Sequence, residues 1–90
     1  MNQEREWKEA TERAQSVRRK HEAALLSKAN VVGVGIGFRY RGGQRLDEIV
    51  LVVLVERKLS IEDLSEEDVI PGEIEGVPVD VQEVGQLRAL

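Results

Sequence analysis

Ninety residues, 41% hydrophobic and 33% charged, are enough for one small folded domain and too apolar for a disordered tail. The chain has no cysteine, which excludes disulfide and thiolate–metal frameworks. Its longest apolar run, Ile49–Val55, is far short of the ~20 residues of a membrane helix. The net charge of −4 is unevenly spread, with +2 in residues 1–30, +2 in residues 31–58 and −8 in residues 59–90. Such a split can be paired within one molecule or can draw copies of it together.

The opening stretch MNQEREWKEA has acids and no apolar core, so no secretory leader is expected and the cytoplasm is the default location. Residues 3–28 are rich in Glu, Arg, Lys, Ala, Gln and Leu, without Gly or Pro, and predict one long helix. Apolar or small residues recur at Trp7, Ala10, Ala14, Val17, His21 and Ala24, alternating steps of three and four. That is the period of a narrow helix-pairing seam, and alanines along it let a second helix come close. Something must cover Trp7, either the body of the domain or another chain.

After Asn30 the period falls to two. Val32, Val34, Ile36, Phe38 and Tyr40 point one way, and Gly33, Gly35, Gly37, Arg39 and Arg41 the other. Gly42-Gly43-Gln44 supplies a turn, since positive φ costs glycine nothing. The run Asp47–Glu56 is apolar on both faces, as in a central strand covered on two sides. In SIEDLSEEDVIP, Ser60 with Asp63 and Ser65 with Asp68 resemble helix N-caps, predicting a short helix, or two helical turns, that ends before Pro71. A tight turn at Ile74-Glu75-Gly76-Val77 precedes a third strand with Val77, Val79 and Val81 inward, beginning at an edge because of Pro78. The tail Gly85–Leu90 is expected to be loose or tied to a neighbour.

The predicted fold class is therefore α+β in the order αββαβ, with a small, mainly antiparallel sheet. Residues 1–29 form the long amphipathic helix and residues 30–90 the small α+β domain. Strands two and three would be parallel neighbours or would be separated by strand one, joined in either case through a right-handed crossover. The short helix would cover one face of the sheet. The face with Gly33, Gly35 and Gly37 would need the long helix or another molecule.

Chemistry finds few candidates. VVGVGIGF places its glycines inside a strand, not at a strand-to-helix turn, so it is not a phosphate-binding loop, and GxxxxGK[ST] is absent. Three glycines on one face make a flat strip that something bulky can approach. His21 is the only histidine and lacks HxxE or ExxH spacing; within the seam it sets register better than it binds metal. Glu62, Asp63, Glu66, Glu67 and Asp68 lack the calcium-loop pattern. No cofactor, metal site or catalytic residue is expected. Arg13, Arg18, Arg19 and Lys20 on the helix and Arg39, Arg41 and Arg45 on the hairpin could suggest nucleic acid. Interleaved glutamates and only three aromatics weigh against it.

Three stretches, NVVGVGIGFRY, EIVLVVLVERKLSIEDLSEEDVIP and IEGVPVDVQEVG, resemble the segment before the catalytic domain of bacterial trypsin-like serine peptidases, with a similar segment in plant relatives. The resemblance covers Asn30–Leu90 and carries no catalytic residue. It implies a free-standing accessory module that packs on a peptidase or on itself. The leading expectation is a non-catalytic interaction module forming a homo-oligomer or filament. Its contacts would be Trp7, Ala10, Ala14, Val17 and His21 on the helix, and Gly33, Gly35, Gly37, Arg39 and Arg41 on the sheet. The alternatives are a regulatory segment for a separately encoded peptidase, and weak nucleic-acid binding.

Overall fold

The structure, a computed structural model, describes residues 3–85. One helix, α1 (Gln3–Leu26), is followed by β1 (Val31–Arg41), β2 (Gln44–Val55), β3 (Glu73–Ile74) and β4 (Val77–Glu83). The strands lie in the order β1-β2-β4-β3. β1 and β2 are antiparallel, β2 and β4 parallel, and β3 closes the far side antiparallel to β4. The domain is α+β, with a four-stranded mixed sheet.

Two-residue loops set both hairpins. Gly42 and Gly43 have φ of 59° and 81°, and Glu75 and Gly76 have φ of 49° and 83°. Positive φ at both central positions gives a turn whose twist matches the flanking strands. β2 and β4 are parallel neighbours, one of the two expected placements, and the crossover between them holds two short turns where an α-helix is the other expectation. Ile61–Asp63 and Glu66–Asp68 are single 3-10 turns, and β3 is a strand that the sequence pattern does not show. Ser60 and Ser65 precede these turns without capping them; the Ser60 hydroxyl instead donates to Asp63 Oδ2 at 2.9 Å. Five acids within seven residues repel one another, and three-residue turns never repay the cost of nucleating a helix.

The long helix covers the sheet face opposite to the glycines. Ala14, Val17 and Leu25 are buried with Val34, Leu51, Val53, Val55, Val77 and Val79 in one core. The reason is the supply of apolar surface. That face offers side chains from β1, β2 and β4, whereas on the other face β1 offers only glycines before Arg39. The turn that follows α1 closes at Asn30 (φ 77°), whose side chain accepts from Arg57 N–H at 3.1 Å and donates to Arg57 C=O. Beyond β2, Lys58 N–H donates to Glu83 Oε1 at 2.8 Å. The strand exit is thus tied on both sides. Of the predicted tail, Gln86–Leu90 lie outside the described residues.

Candidate interaction surface

The helix residues expected to meet another molecule meet the chain's own sheet. Ala14 and Val17 are buried at 0% and 3% exposure, and Trp7, Ala10 and His21 are half-buried. Ala24, the last predicted seam position, is exposed, and Leu25 is buried in its place. From Trp7 to Leu25 the buried stripe therefore advances at about 3.6 residues per turn, not the 3.5 of a coiled coil. A helix lying on its own sheet needs no supercoil, so its stripe follows the natural helical period. The Trp7 ring packs edge-on against Phe38.

His21 stands at the rim of this stripe. Its Nε2 lies 2.7 Å from Glu75 Oε2, and Lys20 Nζ lies 3.4 Å from the other oxygen. The His21 hydrogen bond, aided by the Lys20 charge, holds the Glu75 carboxyl below its ordinary value of 4.5. This exposed cluster ties α1 to the β3–β4 turn. Among the described residues no three His, Asp or Glu side chains converge on a common metal position. No helix among them is long and apolar enough to cross a membrane.

The basic side chains are scattered over several local contacts. Arg18 pairs with Glu22, Arg39 Nε donates to Glu48 Oε1 at 2.7 Å, and the Arg45 guanidinium lies over the Phe38 ring. Arg41 is exposed. Arg39, expected to seek an acid on a neighbour, finds one on the adjacent strand.

The glycine strand does two things that its sequence only hints at. First, it lets the sheet curl. Tyr40 N–H donates to Asp80 Oδ2 at 3.0 Å, although β2 lies between their strands. In a flat sheet those strands stand about 9.6 Å apart, so the end of β1 must fold over β2 toward β4. The register shift between Phe38 and Tyr40 permits that bend, and glycines leave nothing in its path. Val50 is fully buried on this concave side, and Gln82 Nε2 joins Asp80 Oδ2 at 3.1 Å. Sequence patterns could not place Asp80 here, because its partner is 40 residues away.

Second, the glycines leave an open trough of about 370 Å³, lined by Gly33, Gly35, Gly37, Val52, Leu54 and Tyr40 among others. A side chain at Gly33 would meet Leu54 Cδ1 at 3.3 Å and one at Gly37 would meet Val52 Cγ2 at 3.5 Å; at Gly35 nothing lies within 4 Å. The trough runs along β1, the outermost strand of the sheet, which among the described residues pairs only with β2. An end strand keeps a row of N–H and C=O groups unpaired.

No curated protein matches the chain. A family model described as the NARROW LEAF 1 N-terminal domain matches residues 14–84, taking in the buried part of α1 and the whole sheet. That family is a plant one, which overturns the resemblance to a bacterial peptidase accessory segment. The stretches that carried the resemblance are patterns any buried strand or edge strand imposes, so they do not separate one family from another. With most of its length matched by the one model, the chain belongs to the NARROW LEAF 1 N-terminal domain family.

Proposed function

We propose that this chain is a non-catalytic interaction module that associates with copies of itself through β1. The observation that carries the reading is the position of the glycine strand. Among the described residues β1 ends the sheet, its outer edge has no strand partner, and the strip at Gly35 is open. An unpaired strand edge accepts another extended strand, since only a strand satisfies its row of donors and acceptors. A second copy carries such a strand. The polar groups best suited to chemistry are engaged otherwise: the one histidine is bound to Glu75, which also takes Lys20.

The test is mass in solution, by light scattering behind a sizing column, for the natural chain and Gly35→Lys. The open space at Gly35 accommodates the lysine in the single chain, while two such charges brought together at a β1 contact repel. The natural chain should run as a multiple of its 10.1 kDa mass, and the variant as a monomer with an unchanged circular dichroism spectrum. A natural chain that stays monomeric up to millimolar concentration ends the reading.

A further inference from the structure

The free edge of β1 can be traced hydrogen bond by hydrogen bond. Val84 N–H donates to Val55 C=O at 2.9 Å, so the backbone groups of Val55 point toward β4. These groups alternate sides along a strand. Leu51, Val53 and Val55 therefore face β4, and Val50, Val52 and Leu54 face β1. The Glu56 N–H, donating to Asn30 C=O at 2.9 Å, follows the same alternation. The register sets Val50, Val52 and Leu54 opposite Gly37, Gly35 and Gly33. The glycines thus bond to β2, while Val34 and Ile36 hold their N–H and C=O groups outward, past the end of the sheet.

The side chains of this segment have a symmetry of their own. Val32-Gly33-Val34-Gly35-Ile36-Gly37-Phe38 alternates apolar residue and glycine in both directions from Gly35. Such a strand is its own complement when a second copy runs antiparallel to it. We propose that two copies join β1 to β1 about a two-fold axis at Gly35, fusing their four-stranded sheets into one. This rests on the self-association reading above and specifies its contact.

In that register Val34 lies opposite Ile36 of the second copy, and the two exchange both N–H···O bonds. Gly33 lies opposite Gly37 of the second copy. Gly35 meets its own counterpart in a non-hydrogen-bonded pair, with Cα atoms about 4.5 Å apart, where side chains crowd most. The features that protect strand edges bound the paired stretch Gly33–Gly37: a register shift between Val31 and Gly33 on one side, and on the other the shift after Phe38, then Arg39 and Arg41.

The absence of native cysteine makes a crosslinking test clean. Gly35→Cys and Gly37→Cys each place one thiol on a position with room for it. Across the axis, the two Cα atoms of the Gly35→Cys variant would lie within disulfide range. Those of the Gly37→Cys variant would lie roughly 14 Å apart, well beyond it. With oxidised glutathione as the oxidant, Gly35→Cys should form a crosslinked dimer at least about tenfold faster than Gly37→Cys. Equal rates in a chain that still self-associates overturn the Gly35 axis and leave the association reading standing. A chain that stays monomeric overturns both.

Discussion

The Trp7 ring stands edge-on to Phe38, with centroids 5.7 Å apart and planes at 77°. The pair joins the first turns of α1 to the far end of β1, and Arg45 lies 4.6 Å from the Phe38 centroid. An edge-to-face pair contributes about 0.5–1.5 kcal/mol beyond the area it buries.

Trp7→Ala should therefore destabilise the whole domain by about 2 kcal/mol, given that Trp7 is only half-buried. Urea unfolding followed by circular dichroism would read the loss as a lower midpoint with an unchanged slope. Loss of helix signal alone, ahead of the sheet, would mean that α1 is not part of the cooperative core.

Ala14 has no exposed surface in the contact between α1 and the sheet. Ala14→Leu should cost about 1–3 kcal/mol through overpacking, because the added carbons have no space to enter. Were α1 to lean on a second helix instead of the sheet, the larger side chain would be tolerated or would strengthen association. A thermal melt paired with a mass measurement separates the two.

The glycines should not be equivalent. Gly35→Val should leave monomer stability within about 0.5 kcal/mol of the natural chain, since the site is open and β-branched residues suit strands. Gly76→Val should cost at least about 1–2 kcal/mol, because φ is 83° there and the penalty is steric and local. Denaturant midpoints of the two variants provide the comparison.

The Glu75 cluster predicts an acid limb. Its carboxyl is held below the ordinary value by His21 and Lys20, so the ionised form favours the folded state. That contribution is fully present above pH 4.5, where the unfolded carboxyl is also ionised, and fades as pH falls through the lower folded value. Glu75→Gln should lose a little stability at pH 6 and should converge with the natural chain toward pH 3. The group is exposed, so the difference will be small and will shrink further in salt. Thermal midpoints across that range check it, and a constant gap would show that Glu75 acts through packing alone.

How much of this could be read beforehand follows from the range of each interaction. The turn glycines, the period of two after Asn30 and the two-sided apolar run of β2 are local signals, and both tight turns and the β1–β2 hairpin came from them, whereas they leave the placement of β4 beside β2 open between two arrangements. His21 with Glu75 and Tyr40 with Asp80 are 54 and 40 residues apart, and no local pattern announces them. The crossover took the lesser of its two expected forms, two turns instead of a helix. Its N-cap signals are real local preferences, but a segment of three-residue turns has too little length to sustain a helix.

Sequence alone determined the class of this domain, its turns and the identity of its end strand's glycines, because those depend on backbone sterics and periodic burial. Tertiary structure decided what the glycines are for and where the helix lies. A helix stripe drifting from Ala24 to Leu25 chooses the sheet over a partner helix, since one face of the sheet offers apolar side chains from three strands. The glycine strip, left without a helix, lets the sheet bend until Tyr40 reaches Asp80 and leaves the edge of β1 open. Both outcomes depend on which surfaces meet, and that choice is made by area and shape between distant parts of the chain, not by any residue's neighbours in sequence.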